Sequence, residues 1–221
     1  MQIIKKILRR ILYLFPSLNI FAHIFFYERP KSLIRLTNVF KTKNEILEDF
    51  YKQYAEVKQN KSTLDLGCND EPSNPFNCSN AYGVDFSADE EKNILKCVIG
   101  YEPLPFNDEK FSRITAYDLL EHIPRFNFKS NEISSPFIFA MNEVWRVLEK
   151  DGLFLSFTPI YPFQGAYQDP THNNIITWQT FKQYFSDKKF KIAESYGIKT
   201  NFKIEKQYLF GQHLITLMRK V

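Results

Sequence analysis

Glycine is scarce in this chain, seven in 221 residues, and each one therefore carries information. Low-complexity and collagen-like compositions are excluded. Cysteine is scarcer still: Cys68, Cys78 and Cys97 form no CxxC pair, and no histidine stands close to them in sequence. That pattern argues against a zinc site and against a disulfide framework, and it fits a reducing cytoplasm. No uninterrupted apolar run reaches the roughly 18 residues of a membrane span. Pro16 breaks the first apolar stretch, and Asn19 and His23 lie within the second. No small-residue cleavage site follows, as a secretory signal would require. There is no internal repeat and no long linker.

Aromatic residues are plentiful, with 22 Phe and 12 Tyr in a chain that is 44% apolar. That is enough for a sizeable core, and the length suits one α/β domain with an extension. The net charge of +4 is unevenly spread. Residues 1–43 hold nine Lys or Arg against the single acid Glu28, a net +8, which leaves −4 for residues 44–221. A basic head on a slightly acidic body points to an anionic surface for the head, not to a nucleic-acid groove across the domain. Residues 2–15 read as a basic amphipathic helix. Ile3, Ile4, Ile7, Leu8, Ile11, Leu12 and Phe15 recur at three- and four-residue steps, with Lys5, Lys6, Arg9 and Arg10 between them. Two readings stay open: a helix packed on protein, or a peripheral helix in the membrane interface at the inner face.

Beyond this head, residues 44–60 read as a helix capped by Asn44, with Leu47, Phe50, Tyr51 and Tyr54 facing a sheet. Strands are expected near 63–66, 81–85, 94–99, 112–116, 153–158, 190–196 and 213–218, and helices near 136–149 and 177–186. The alternation predicts a Rossmann-like, doubly wound, mostly parallel seven-stranded sheet with helices on both faces, preceded by the N-terminal helical extension of residues 1–43. Such sheets bind ligands beyond the carboxyl ends of their strands.

The stretch Thr63-Leu64-Asp65-Leu66-Gly67-Cys68-Asn69-Asp70 organises the domain. A short apolar strand carrying an acid runs into a glycine turn, where backbone N–H groups can approach a ligand. The next strand, Ala81-Tyr82-Gly83-Val84-Asp85, ends in a carboxylate 18 residues after Gly67. In nucleotide-binding α/β domains an acid about 20 residues past the turn hydrogen-bonds ribose hydroxyls. Turn and acid in register point to a nucleoside-containing cofactor.

These residues resemble the class I S-adenosylmethionine-dependent methyltransferases. Thr63 to Cys68 is similar to the first motif of that family and Tyr82-Gly83-Val84-Asp85-Phe86-Ser87 to its second. Leu104-Pro105-Phe106, with Phe111 and Ile114, resembles the stretch before the fourth strand, and Asp118-Leu119-Leu120-Glu121-His122-Ile123-Pro124 the segment after it. Asn142 to Leu148 with Asp151-Gly152 resembles the helix and turn before the fifth. The order is consistent over about residues 45–220. The resemblance implies S-adenosyl-L-methionine as cofactor. It places Asp65 and Gly67 by the methionine end, Asp85 at the ribose and Asp118 beside the transferred methyl group. The family turn usually continues Gly-Cys-Gly-x-Gly, whereas this chain has Gly67-Cys68-Asn69-Asp70-Glu71. Asn69 tolerates a left-handed backbone, so the turn is expected to survive. The acid often found near the adenine is replaced by Ile99, Gly100 and Tyr101.

A polar and aromatic loop, residues 159–178, follows the fifth of these strands. Asp169-Pro170-Thr171-His172 resembles a segment that lies over the acceptor in some methyltransferases. Imidazole exchanges its proton near neutral pH, so His172 is a candidate base for an acceptor hydroxyl, with Asp169 orienting it or binding the acceptor. The other reading makes Asp169 a turn residue and His172 a helix N-terminal group. His213, on a late apolar strand, reads as a core histidine. No metal ligands are expected. The leading expectation is O-methylation of a small-molecule or glycan acceptor, and the alternative is a non-catalytic binding or assembly subunit docked on a membrane or partner. Nucleic-acid methylation is disfavoured by the acidic body and the lack of an Asn-Pro-Pro-aromatic motif.

Overall fold

In the computed structural model, residues 45, 48, 52–54, 61–129, 132–186 and 192–221 are described. The expected extension of residues 1–43, with its helix at 2–15, lies outside them, as does most of the helix at 44–60. Residues 45, 48 and 52–54 of that segment are helical. Among the described residues, no helix is long and apolar enough to cross a membrane.

Among the described residues, nine strands follow in chain order: β1 (Ser62–Leu66), β2 (Asn80–Asp85), β3 (Ile94–Lys96), β4 (Phe111–Tyr117), β5 (Asn127–Lys129), β6 (Glu132–Ser134), β7 (Leu148–Pro159), β8 (Phe202–Phe210) and β9 (His213–Lys220). Seven form one sheet in the order β3-β2-β1-β4-β7-β9-β8. The five strands from β3 to β7 run parallel, and β9 is antiparallel to both β7 and β8. This is the doubly wound, mostly parallel sheet expected from the alternation of elements. β5 and β6 make a separate hairpin that the sequence pattern did not indicate.

Alternation along the central strands explains why both faces are buried. On β7, Leu153, Leu155 and Phe157 enter one core with Phe76, Ile215 and Leu217, and Tyr54 packs against it. Phe154 faces the other core, which holds Leu64, Ile114 and Met218 together with Phe137, Met141 and Val144 of helix α1 (Pro136–Val147). Pro136 opens α1 at a position where a missing N–H costs nothing. Arg146 near its end is a clamp. Its guanidinium donates to the carbonyls of Leu104 and Phe106 (3.0 and 2.8 Å) and pairs with Glu143 and Asp108, while Glu143 accepts the Leu104 N–H (2.9 Å). The Leu-Pro-Phe segment and the helix motif are thus two halves of one hydrogen-bonded joint.

The expected strand at 190–196 is corrected: the described part, Ile192–Ser195, is a helical turn, α2, and the strand is β8. The alternation in Lys189-Phe190-Lys191-Ile192 imitates a strand. β8 is an edge strand whose Lys203, Glu205 and Lys206 read as a polar loop, the usual way of blunting a sheet edge. Within the expected helix at 177–186, residues 182–186 form a wide π turn.

A packing constraint joins the first two strands. A Cβ on Gly83 would stand 2.3 Å from Cys68 Sγ. Gly83→Ala is therefore expected to lower unfolding free energy by about 1–3 kcal/mol. Urea denaturation of Gly83→Ala, Cys68→Ala and the double variant checks this: the double variant should recover part of the loss, and additive losses would remove the contact as its cause.

Candidate active site

The strand order reverses between β1 and β4, and ligands of doubly wound sheets lie beyond the carboxyl ends at that switch. Gly67 follows β1, Asp85 ends β2 and Asp118 follows β4, so three of the expected residues reach one sheet edge from different strands. Gly67 takes φ +67°, its N–H donates to Val84 O (2.9 Å), and a Cβ there would stand 2.9 Å from Leu119 Cδ1. Asn69 takes φ +52°, filling a left-handed position without glycine. The Asn69 N–H donates to Asp85 Oδ2 (2.9 Å) and the Phe86 N–H to Asp85 Oδ1 (2.6 Å). Asp85 thus ties the turn to β2. Each of its oxygens keeps a lone pair for a ligand hydroxyl.

Asp65, expected by the methionine end of the cofactor, lies on β1 just before this turn with its side chain enclosed. It is 3% exposed, Oδ1 accepts from Thr115 Oγ1 (2.6 Å) and Oδ2 accepts the Ser73 N–H (2.9 Å). With both oxygens engaged inside the protein, it braces the wall of the site. Asp70 and Glu71 are exposed, and Lys92 Nζ donates to the Asp70 carbonyl (3.1 Å), bringing a cation to this acidic turn. Burial, followed by the charges of Asp65 and Asp85, pushes the Cys68 thiol up to about 11.

Asp118 holds φ +47°, a backbone position uncommon outside glycine, Asn and Asp, and its N–H donates to Phe157 O (2.8 Å). Its Oδ1 stands 3.2 Å from His213 Nε2, and the His213 ring stacks on Phe157 with centroids 4.5 Å apart. His213 is not the enclosed core histidine expected from its strand. Its side chain is 30% exposed. Because β9 runs antiparallel to β7, its first residue pairs with Pro159 at the site edge of the sheet. Strand direction is not visible in the apolar pattern, so nothing in the sequence marked this pair. Phe86, 73% exposed beside Asp85, is a second residue overlooked.

The loop after β7 returns to the turn after β4. The Glu121 carbonyl accepts the N–H groups of Asn173 and Asn174 (both 2.9 Å), the Asn174 side chain donates to Leu120 O (3.0 Å), and Arg125 Nε donates to Asn174 Oδ1 (2.7 Å). This zipper sets His172 against His122, ring centroids 4.7 Å apart. His172 Nε2 lies 4.0 Å from Asp169 Oδ2, an ion-pair distance and not a hydrogen bond. Asp169 instead accepts from both the N–H and the hydroxyl of Thr171 (2.8 and 2.6 Å), and these bonds hold its carboxyl below the ordinary carboxylate range. Burial raises the Glu121 carboxyl, against a hydrogen bond from Thr158 Oγ1 (2.8 Å).

Against known proteins, no family model matches the sequence, and no curated protein matches it either. Solved structures do match. A candidate methyltransferase of Bacillus halodurans is 15% identical with a TM-score of 0.52, over 80% of this chain and 99% of that one. A geranyl diphosphate methyltransferase solved with S-adenosylmethionine is 11% identical with a TM-score of 0.52, over 81% and 86%. The [4+2]-cyclase SpnF is 14% identical with a TM-score of 0.51, over 80% of each chain. At such identities the likeness is one of fold: the chain has the class I S-adenosylmethionine-dependent methyltransferase fold. A neighbour titled as a cyclase illustrates that the fold does not select the reaction.

The thiols give a test of the site's interior. Cys68 and Cys97 are each pushed up to about 11, burial being the largest cause for both, and Cys78 is buried. The thiolate is the reactive form, so all three are expected to resist iodoacetamide at pH 8 in the folded protein and to react fully in urea. Rapid native alkylation of Cys68, read by mass spectrometry, would contradict a closed turn.

Proposed function

We propose that this protein is an S-adenosylmethionine-dependent methyltransferase acting on an oxygen of a small-molecule or glycan acceptor. The convergence of the Gly67 turn, Asp85 and the Asp118–His213 pair on one sheet edge, at the switch between β1 and β4, carries this reading. Asp85 would accept hydrogen bonds from the ribose hydroxyls, and the exposed Phe86 ring offers a face for the purine. Gly67 and the N–H groups of its turn leave room for the methionine end. Asp65 keeps that turn in place from behind.

Methyl transfer needs an oxygen in line with the sulfonium. The oxygen forms a bond to the methyl carbon, the carbon–sulfur bond breaks, its electron pair stays on sulfur, and the acceptor proton passes to a base. His213 suits that role. With Nε2–H directed at Asp118, the lone pair lies on Nδ1, and Asp118 would stabilise the imidazolium that forms. His172, the candidate base named from the sequence, has a side chain only 9% exposed, so with Asp169 it is assigned to shaping the acceptor side. The alternative of a non-catalytic binding or assembly subunit draws on the departure from the family turn at Asn69-Asp70-Glu71, and the left-handed backbone of Asn69 weakens that support. On sequence alone, residues 2–15 carry the further proposal of contact with an anionic membrane, tested by sedimentation with phosphatidylglycerol vesicles. Equal binding to neutral vesicles would refute it.

Calorimetric titration with S-adenosylmethionine and S-adenosylhomocysteine tests the cofactor reading. Asp85→Ala is expected to weaken both by about tenfold or more, since a lost charge-assisted hydrogen bond is worth about 1.5–3 kcal/mol. Unchanged affinity would take Asp85 out of the site, and no binding by the folded wild-type protein would refute the proposal. His213→Ala should leave cofactor affinity within about twofold and lower methyl transfer by about 10²–10⁴-fold, the range of general-base catalysis. Full turnover would exclude His213 as the base.

A further inference from the structure

A second cluster lies where the two loops are zipped together. One donor atom from each of Glu121, His122 and His172 lies within 4.8 Å of the other two. Two of these residues are enclosed and incompletely satisfied. Glu121 is 1% exposed; Thr158 Oγ1 donates to Oε2 (2.8 Å), while buried Oε1 has no hydrogen-bond partner among the described residues. The His172 side chain is 9% exposed, and its buried Nδ1 likewise has no partner among them. Unpaired buried polar atoms are costly, and two in one donor cluster point to a missing partner that accepts lone pairs.

The hydrogen bonds around the third residue lead to the same conclusion. Thr171 has one hydroxyl proton, and it is donated to Asp169 Oδ1 (2.6 Å). The 2.9 Å contact between Thr171 Oγ1 and His122 Nδ1 must then use the Nδ1 proton as donor. That tautomer leaves the lone pair of His122 on Nε2. Metal-bound histidines commonly donate their other ring N–H to an oxygen that in turn engages a carboxylate. Here the chain runs His122, Thr171, Asp169. For His172, the buried Nδ1 is the unpartnered ring nitrogen among the described residues, while Nε2 stands 4.0 Å from Asp169 Oδ2.

We propose that Glu121, His122 and His172 bind a divalent transition-metal ion of the zinc class. Two imidazoles and a carboxylate with a free oxygen suit such an ion and not magnesium, which prefers an oxygen shell. Donors in a tetrahedral zinc site stand about 3.4 Å apart, from bond lengths of about 2.0–2.1 Å. The donors therefore have to close by up to about 1.4 Å from their separation of within 4.8 Å, through side-chain rotations. Three protein ligands leave one coordination position for an exogenous oxygen. Metal binding is independent of the methyl-transfer reading; only the identification of that oxygen with an acceptor hydroxyl rests on it. Asp169 and Thr171 are then positioning residues for His122, which explains why the Asp-Pro-Thr-His loop carries both.

Cobalt(II) titration of chelator-treated full-length protein, without S-adenosylmethionine, tests the site directly. One equivalent is expected to bind with the visible d–d absorption of a low-coordinate site, and zinc should displace it. Glu121→Gln, His122→Gln and His172→Gln should each weaken cobalt about tenfold or more, and Thr171→Val about tenfold through His122 alone. Thermal unfolding without metal identifies which variants still fold. Zinc should raise the wild-type Tm and raise the Tm of the ligand variants by clearly less at the same concentration. The proposal is overturned if folded wild-type protein binds no stoichiometric cobalt, or if folded His122→Gln and His172→Gln bind it as tightly as wild type. Thiolate-to-cobalt charge-transfer bands, placing the ion at a cysteine, or magnesium binding that excludes zinc would also overturn it. Failure of cofactor binding would leave these results standing, so the two readings fail separately.

Discussion

A buried carboxylate at the strand-order switch is the constraint on which the site depends. Asp65 stands on β1 with its side chain closed off from solvent, a costly arrangement unless each oxygen is satisfied. One oxygen is met by Thr115 on β4 and the other by the Ser73 N–H beyond the turn. A single side chain therefore links the two paired strands at the switch and pins the loop that follows β1. Gly67 and Asn69 can hold their left-handed conformations because the loop is fixed at both ends, by Asp65 at Ser73 and by Asp85 at Asn69. The tight fit of Cys68 against Gly83 fills the space behind the turn.

The loop after β7 is held by a different device. The 159–178 loop is long, polar and poor in regular structure, yet backbone and side-chain hydrogen bonds stitch it to the turn after β4. The carbonyl of Glu121 and the side chains of Asn174 and Arg125 make most of these bonds. The side chain of Glu121 is then left in a buried pocket with Thr158 below it and two histidines beside it. The same residue thus joins the loops through its backbone and supplies a donor through its carboxylate. Preorganisation of this kind suits a binding site, because the donors are positioned before a ligand arrives.

Charge at the turn after β1 is also managed locally. Asp65, Asp70, Glu71 and Asp85 crowd one turn of a domain whose body is net acidic. Asp65 and Asp85 accept hydrogen bonds from neutral groups of the protein, and Lys92 reaches the Asp70 carbonyl. The remaining exposed carboxylates face solvent, where repulsion is screened.

The sequence by itself determined the features that local chemistry controls. An apolar strand, a glycine turn and a second strand ending in an acid specified β1, Gly67, β2 and Asp85. The preference of Asn for the left-handed region specified that the turn would close without its usual glycine. The coarse pattern along the chain placed β4, β7, β9 and α1 near their observed positions. Local pattern failed where a charged edge strand imitated a loop, at β8, and where an alternating segment imitated a strand, near residue 190. Only the tertiary structure decided which distant side chains meet. Asp118 and His213 lie 95 residues apart in the sequence, and His122 and His172 lie 50 apart. Their juxtaposition depends on the antiparallel direction of β9 and on a zipper that joins backbone groups to the side chains of Asn174 and Arg125, partners far apart in sequence that no local pattern can pair.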